Sequence, residues 1–464
     1  MPLEIGAPPH RRDGRAKVTG TATFTAEWPV PEAAHAAAVT SPIPRGRITR
    51  VDTRAATRLP GVLAVLTHEN CPAIRTTPVF NPGSASPGAA ATSITPLQSP
   101  ELHYVGQYVA LVIAESPEIA RHAASLVAFD YDRDAARLSF SAGQRRAEPV
   151  RRIMGAPGRL ESGDPDAALA GDAITLDTEY TTGYEYHNPI EPHATVAAWT
   201  DDRRLTVYDS SQYIFGVQRM IAEAFDLTPG NVRVVCRFIG GAFGSKGLAW
   251  PHTLLAVAAA KHVGRPVRFV LTREQMYGSM GYRSPTRQRV ALAADPDGQL
   301  SAIIHEGTSL TARSDEFIEP FTIATRHMYA APNRRLAQTV ARLDVPPPTF
   351  MRAPGETPGL FALECAMDEL ATALDLDPVE LRRRNEPDVD PTSGKPFSGR
   401  RLLDCFEAAA DAFGWADRAP TPGATRDGNW LRGTGCAATT YPMYRFPAGA
   451  GLRRVLAGRA PPSA

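Results

Sequence analysis

The stretch GGAFGSKG, residues 240–247, combines four glycines with a lysine, which is typical of a loop whose backbone closely approaches a ligand. It lies between a predicted strand and a predicted helix, whose free N-terminal amides favour an anion. The phosphate-binding sequence GxxxxGKS/T does not fit, because Ser245 occupies the second glycine position. The dinucleotide fingerprint GxGxxG fails in the same way at Ala242. An anion site of another kind and a tight turn without a ligand both remain open.

A second candidate is Arg352, which precedes a proline–glycine turn in the sequence FMRAPGETPG at 350–359. A guanidinium on such stiff backbone could hold an anion or polarise a carbonyl group with little loss of conformational entropy. The alternative is a purely structural arginine.

The third candidate is the sequence YEYHNPIEPH at 184–193, which contains His187, Glu191 and His193. Its two prolines prevent the single helix face on which metal ligands of the HExxH type converge. We therefore expect a hydrogen-bonded loop beside a pocket, and no metal held by these side chains.

Bulk composition excludes several classes of function. The 50 lysine and arginine residues balance the 49 aspartate and glutamate residues, and the net charge of +1 argues against nucleic acid or an anionic membrane as a partner. The five cysteines lie far apart, which argues against a thiolate metal site and a disulfide framework. No apolar run approaches the ~20 residues that span a bilayer, and no secretory signal is visible. The protein is expected in the cytoplasm, or in the periplasm only if a signal-bearing partner carries it.

Hydrophobic periodicity predicts a mixed α/β chain of two or three domains. Strands are predicted at 34–40, 61–67, 105–114, 127–131, 173–180, 195–199, 204–208, 231–238, 267–272, 288–294 and 300–305, the last two as a hairpin. Helices are predicted at 116–125, 217–225, 252–263, 360–374 and 402–413. The break at 72–100, rich in Pro, Ser and Gly, is predicted to be a mobile surface loop.

Four motifs in one order identify a family resemblance. They are DGRAKVTGTATF at 13–24, HNPIEPH at 187–193, GGAFGSK at 240–246 and MRAPGE at 351–356. Together they resemble the large, molybdopterin-binding subunit of the xanthine dehydrogenase and aldehyde oxidoreductase family, in particular bacterial aldehyde oxidoreductases that bind molybdopterin cytosine dinucleotide. The resemblance extends from Asp13 to about Tyr444.

The resemblance implies an α+β architecture: an N-terminal α/β hammerhead domain and a mixed α/β molybdopterin-binding domain, with the second molybdopterin-binding domain missing. The implied boundaries are 10–135 for the hammerhead, 136–159 for a linker, 160–415 for the first molybdopterin-binding domain, and 416–464 for a truncated start of the second domain with an aberrant tail.

The resemblance also implies a site. In the family the molybdenum is held by the pterin dithiolene and by no protein side chain, and iron–sulfur (2Fe-2S) and FAD groups are expected on separate small and medium partner subunits. Arg352 is the implied catalytic residue. The implied cofactor-binding residues are Glu185, Gly241, Ala242, Phe243, Gly244, Arg352 and Ala353.

Two departures from the family pattern qualify the implied function. Gly247 follows Lys246 where purine-oxidising members carry a glutamate, which favours an aldehyde, aromatic or otherwise apolar, as substrate. No glutamate follows Glu407, so the catalytic glutamate of the second domain is absent and the polypeptide is predicted to be inactive alone. The alternatives are a non-catalytic partner-binding or assembly module, and one half of a split subunit.

Overall fold

Two large sheets with helices packed against them organise the chain. The computed structural model describes residues 6, 10–80, 88–171 and 174–441. In this part of the chain the strands are β1 (Ala34–Thr40), β2 (Gly46–Asp52), β3 (Val62–Thr67), β4 (Glu101–Leu102), β5 (Tyr108–Ala114), β6 (Ala128–Arg133), β7 (Glu148–Pro149), β8 (Arg152–Ile153), β9 (Ala156–Pro157), β10 (Arg159–Ser162), β11 (Ile174–Thr182), β12 (Ala194–Trp199), β13 (Leu205–Asp209), β14 (Val232–Val235), β15 (Val267–Val270), β16 (Thr286–Ala294), β17 (Leu300–Ala312), β18 (Asn333–Leu343), β19 (Thr425–Asp427) and β20 (Trp430–Arg432).

A seven-stranded sheet joins the N-terminal part of the chain to its middle. Its strand order is β14-β13-β12-β15-β1-β5-β3. The junction is the parallel pairing of β1 with β15, in which Ala34 lies opposite Val267. Strand β5 is buried along its whole length, as its uninterrupted apolar sequence YVALVIA indicates. Because one ladder continues across the two regions, they share a single hydrophobic core.

The second sheet has the order β10-β18-β17-β16-β11, with β7 paired to β18. Strands β16 and β17 form the predicted antiparallel hairpin, which turns at Asp295–Gly298. A smaller three-stranded sheet, β4-β2-β6, lies beside the N-terminal strands.

The helices begin and end at residues that suit those positions. They are α1 (Gly14–Val18), α2 (Arg54–Thr57), α3 (Pro117–Ser125), α4 (Phe140–Gln144), α5 (Pro165–Ala170), α6 (Ile214–Ala224), α7 (Pro251–Val263), α8 (Arg273–Ser279), α9 (Thr325–Met328), α10 (Glu356–Ala373), α11 (Pro378–Arg384) and α12 (Leu402–Phe413). At α3 the Ser116 hydroxyl accepts the Ile119 amide and Pro117 fills the first turn, so the helix begins where the sequence predicted a helix to start. Gly264 and Gly414 end α7 and α12 in the left-handed conformation.

Two buried helices form the cores. Helix α7 is buried from Pro251 to Ala260 and packs on the seven-stranded sheet, whereas α10 packs on the second sheet through Leu363, Met367 and Leu370. Both helices start directly after a candidate ligand loop, so each core fixes the position of one loop.

The prediction of a mobile surface loop at 72–100 is wrong for most of the described part. Residues 88–92 are buried, and Ile74 and Leu97 belong to the core. The Ala91 amide donates to the Ala249 carbonyl at 2.9 Å, and the Ala249 amide donates to Ala89 at 3.0 Å. The small side chains that suggested a loop instead let this segment pack beside the residue that precedes α7. Residues 81–87 lie outside the described part.

Several predicted elements differ in extent. The predicted strand at 231–238 is only four residues long (β14), and β18 was not predicted because its alternating Arg and Gln residues mask its buried face. Within the predicted linker, Glu148–Pro149 pairs with β18. The proposed aberrant tail beyond residue 441 lies outside the described residues.

Close packing of α10 generates a stability prediction. A Cβ atom on Gly359 would lie 1.8 Å from the Phe321 carbonyl oxygen. Although alanine is the better helix former, we expect Gly359→Ala to lower the free energy of unfolding by about 1–3 kcal/mol, because backbone must move. Chemical denaturation of the purified chain measures this change. Gly183→Ala is the control, since nothing lies within 4 Å of its added Cβ, and an equal loss in both variants would contradict the steric argument.

Candidate functional site

A buried ion pair closes the glycine loop. The Lys246 ammonium, which is fully buried, lies 2.8 Å from Glu191 Oε2, and the same oxygen accepts the Gly240 amide at 2.8 Å. Lys246 also donates to the Glu191 carbonyl at 3.0 Å, and the Glu191 amide donates to Gly240 at 2.9 Å. One glutamate therefore ties both ends of the loop to the 184–193 segment. Burial lowers the pKa of Lys246, and the charge of Glu191 opposes that shift.

The glycines of this loop permit contacts with other segments of the chain. A Cβ on Gly240 would lie 2.5 Å from the Glu191 Cβ, and a Cβ on Gly244 would lie 2.3 Å from the Phe350 carbonyl oxygen. Gly241 and Gly244 have φ values of +93° and +107°, which other residues rarely adopt. At Gly240 and Gly244, packing within the protein accounts for the missing side chain without any ligand.

The arginine turn, defined as Arg352–Gly355, lies directly against the glycine loop. The Arg352 amide donates to the Phe243 carbonyl at 2.8 Å. Behind this contact, His187 Nε2 lies 2.7 Å from the Phe350 carbonyl oxygen. The three candidate stretches, which are far apart in sequence, therefore meet at one place.

Glu185 joins the same site through a residue that sequence reasoning missed. Arg283 is buried, and its Nη2 donates to the Arg352 carbonyl at 2.5 Å. Its amide donates to the Glu185 carbonyl at 2.9 Å, and its Nε lies 3.2 Å from Glu185 Oε2. Arg283 thus connects Glu185 to the arginine turn. The sequence around it, GYRSPT, contains no feature that distinguishes Arg283 from the many arginines of this chain.

Several hydrogen-bond donors at this meeting point have no partner within the described residues. They are the backbone amides of Gly241, Ala242, Phe243 and Ala353 and the guanidinium of Arg352. Phe243, with φ of +54°, exposes 45% of its surface beside them. Clustered amides and a guanidinium suit an oxygen-bearing or anionic ligand, because each can donate a hydrogen bond without prior rearrangement. The donor set therefore fits a molybdenum cofactor whose metal takes no protein ligand.

The 184–193 loop does not present a set of metal ligands. His193 Nε2 faces the Ser245 carbonyl at 3.3 Å, His187 faces Phe350, and Glu191 is occupied by Lys246. Burial lowers the pKa of His193 and lowers that of His252 to about 3, so both rings are neutral beneath the charged Lys246. In the residues described, no group of three or more His, Cys, Asp or Glu side chains could hold a metal ion.

A cavity of about 940 Å³, lined by both apolar and charged side chains, opens beside Phe350. Its wall includes Phe80, Phe317 and Phe350, whose ring centroids lie 5.6 Å (Phe80–Phe350) and 4.9 Å (Phe317–Phe350) apart. Phe350 lies two residues before the turn in sequence, and Leu248, just after the glycine loop, also lines the cavity. Sequence reasoning did not find this cavity, because its walls come from segments more than 200 residues apart.

Comparison with known proteins supports the resemblance read from the motifs. The model of the aldehyde oxidase and xanthine dehydrogenase a/b hammerhead domain matches residues 19–135, and the model of the molybdopterin cofactor-binding domain matches residues 147–386. The chain is 38% identical over 437 residues to the aldehyde oxidoreductase molybdenum-binding subunit PaoC of Escherichia coli (strain K12), which covers 94% of this chain and 57% of PaoC. The chain belongs to the aldehyde oxidase and xanthine dehydrogenase family. The predicted order of a hammerhead domain and a molybdopterin-binding domain is confirmed.

Two further relatives share a smaller fraction of identical residues with the chain. The chain is 27% identical over 456 residues to the xanthine dehydrogenase molybdenum-binding subunit of Escherichia coli O157:H7, covering 95% of this chain and 60% of that relative. The solved aldehyde oxidoreductase of Desulfovibrio gigas superposes with a TM-score of 0.76 at 28% identity, over 88% of this chain and 46% of that one. The chain thus spans less than two thirds of the length of each of these relatives. No helix in its described part is long and apolar enough to cross a membrane.

The closure of the glycine loop can be tested by removing one charge. Glu191→Gln leaves the Lys246 ammonium buried without its counter-charge, and we expect the free energy of unfolding to fall by about 3–5 kcal/mol. Urea denaturation measures the loss. The control is Glu101→Gln, because the Arg47–Glu101 pair is exposed and is expected to contribute only about 0–1 kcal/mol. Losses of similar size in the two variants would contradict a special role for the buried pair.

Proposed function

We propose that this chain provides the first half of a molybdopterin cytosine dinucleotide site that oxidises aldehydes to carboxylic acids, with water as the oxygen source. The observation that carries the proposal is the contact between the Arg352 amide and the Phe243 carbonyl, which brings the unpaired amides of the glycine loop beside those of the arginine turn. Such preorganised donors stabilise negative charge on a ligand at little reorganisation cost.

Each site residue has a proposed role. The amides of Gly241, Ala242 and Phe243 would donate to oxygen or sulfur ligands, with Gly244 shaping the loop, and the Arg352 guanidinium with the Ala353 amide would hold the cofactor or the substrate carbonyl oxygen. Glu185 pairs with the Arg283 guanidinium, which in turn donates to the Arg352 carbonyl. When bound, the molybdenum cofactor supplies the oxygen-transfer chemistry and accepts two electrons from the aldehyde.

Two features favour an apolar or aromatic aldehyde over a purine. Gly247 offers no carboxylate after Lys246 to bind a polar heterocycle. The cavity beside Phe350 offers three aromatic side chains, Phe80, Phe317 and Phe350, against which an apolar ring can pack. Charged side chains, among them Glu148 and Arg342, line other parts of it.

The site requires a further contribution from outside the described residues. Phe243 and Arg352 are exposed, and among the nearby carboxylates of the described chain Glu185 lies 3.2 Å from the Arg283 guanidinium while Glu319 and Glu356 are buried beneath the turn. We propose that a second molybdopterin-binding domain covers this surface and provides the general base, and that without it the chain does not turn over aldehyde. Iron–sulfur and FAD subunits are the proposed electron acceptors, and the cytoplasm is the proposed compartment unless a partner is exported.

Reconstitution tests the function. The chain is expressed alone and together with a separate C-terminal segment of PaoC and the iron–sulfur and FAD subunits, and molybdenum content and aldehyde-dependent dye reduction are measured. We expect turnover only in the complete mixture. Turnover by the chain alone would contradict the need for a second domain. Complex formation with neither molybdenum nor turnover would favour the alternative, a non-catalytic assembly module.

Substitution of the arginine separates ligand binding from folding. Because the Arg352 side chain has no partner among the described residues, Arg352→Gln should leave the denaturation midpoint unchanged. Loss of charge-assisted hydrogen bonds should weaken molybdenum retention roughly 10- to 100-fold in the reconstituted mixture. The matched control is Arg47→Gln on the hammerhead surface, which should leave metal content unchanged. A lower midpoint in Arg352→Gln would instead indicate a structural arginine.

A further inference from the structure

A cluster of buried charges lies beneath the arginine turn. Arg283, Glu319 and Glu356 expose 2%, 0% and 3% of their surfaces. Arg283 precedes β16, Glu319 precedes α9, and Glu356 is the first residue of α10. Only Glu356 lies in one of the four motifs, MRAPGE, so the sequence does not show that the three residues are neighbours. Buried charges are costly unless they are paired, and their presence at one point therefore requires an explanation.

Two members of the cluster hold the turn at both of its ends. Glu319 Oε1 accepts the Gly355 amide at 2.6 Å, and Arg283 Nη2 donates to the Arg352 carbonyl at 2.5 Å. Between these contacts Ala353 has φ of +56° and Gly355 has φ of +82°. A non-glycine residue in this region is strained, and such a conformation persists only when its surroundings fix it.

The cluster is not fully satisfied internally. Arg283 Nη1, Glu319 Oε2 and Glu356 Oε2 are buried and have no hydrogen-bond partner among the described residues, and Arg283 Nε has only its ion pair with Glu185. If stability alone had shaped this place, apolar side chains of similar volume would serve it as well or better. The charges are therefore better explained by what they do to the turn above them.

We propose that Arg283 and Glu319 are positioning residues that hold the arginine turn in its strained conformation, so that the Arg352 guanidinium and the Ala353 amide face the ligand. The inference rests on the proposed function of the turn. Its first test requires no cofactor, so the two can fail separately.

We call the two contacts that hold the turn, from Arg283 and from Glu319, the clamp. The environment of Glu319 makes the clamp depend on pH. Burial raises the pKa of Glu319 to about 7; Arg283 opposes the rise, and the carboxylates of Glu356 and Glu185 add to it. The pKa of Glu319 is higher when the arginine turn covers its carboxyl group than when that group is in water. A local opening of the turn that exposes Glu319 to water therefore releases a proton. Opening therefore becomes easier as pH rises from about 4.5 through about 7.

Hydrogen exchange of the full-length chain measures the clamp directly. The observable is the protection factor of the Gly355 amide, corrected for intrinsic exchange, between pH 5 and 8. In the wild type we expect it to fall at least about tenfold as pH rises, since each pKa unit corresponds to a factor of ten. Glu319→Gln keeps an acceptor and removes this titration, so its protection should stay within about threefold of the wild type at pH 5 and should fall less than the wild type's as pH rises. The remaining fall is assigned to Glu356, whose pKa burial also raises. Glu319→Leu lacks the acceptor and should lose protection at every pH.

The control is Glu101→Gln, an exposed carboxylate that pairs with Arg47 on the hammerhead surface. It should leave Gly355 protection and its pH dependence as in the wild type. Unchanged protection in Glu319→Leu, or a pH dependence in Glu319→Gln as large as that of the wild type, would overturn the proposal. In the reconstituted mixture Glu319→Leu should also raise the KM for aldehyde more than it lowers kcat. A mixture inactive even with the wild-type chain would count against the proposed function and leave the exchange result intact.

Discussion

The buried pair of Glu191 and Lys246 is the interaction on which the site depends. A loop with four glycines has many accessible conformations, and ordering it costs conformational entropy that its own side chains cannot offset. The carboxylate of Glu191 binds the Gly240 amide and the Lys246 ammonium together, and so fixes both ends of the loop. Because the pair is buried, water cannot compete for either charge, and the backbone around the exposed Phe243 is held in one conformation.

Packing within the protein explains Gly240 and Gly244, whereas the sequence suggested that a ligand approaches the loop backbone. Gly240 and Gly244 lack side chains because Glu191 and the Phe350 carbonyl occupy the space where a Cβ would lie. The consequence for function is indirect. Close contact between the loop and the chain before Arg352 aligns two sets of unpaired donors, and this alignment forms the surface that a ligand can use.

Local signals predicted much of the fold, and contacts between distant residues account for what was missed. The predicted helices at 116–125 and 402–413 are present as α3 and α12, and their ends lie at Ser116–Pro117 and Gly414, because caps depend on adjacent residues. The burial of residues 88–92 depends on Ala249, far away in sequence, and composition alone favoured a loop. The candidate residues Glu185, Gly241–Gly244 and Arg352 do meet, although their ligand roles stay predictions. The sequence did not indicate Arg283 or Glu319. Their proposed role depends only on their contacts with the Arg352 carbonyl and the Gly355 amide, which the fold creates.

The same physical device occurs on both sides of the site. Each exposed loop is held from beneath by a buried charge: Glu191 under the glycine loop and Arg283 with Glu319 under the arginine turn. Charged hydrogen bonds suit this task because they are directional and strong where water is excluded, whereas apolar packing tolerates small shifts of backbone. Burying these charges costs desolvation free energy. That cost is offset where hydrogen-bond donors must be oriented before the ligand binds, because donors that reorganise during the reaction stabilise the transition state less. The exposed ring of Phe243 lies between the two held loops, on the face where the proposed second domain would bind.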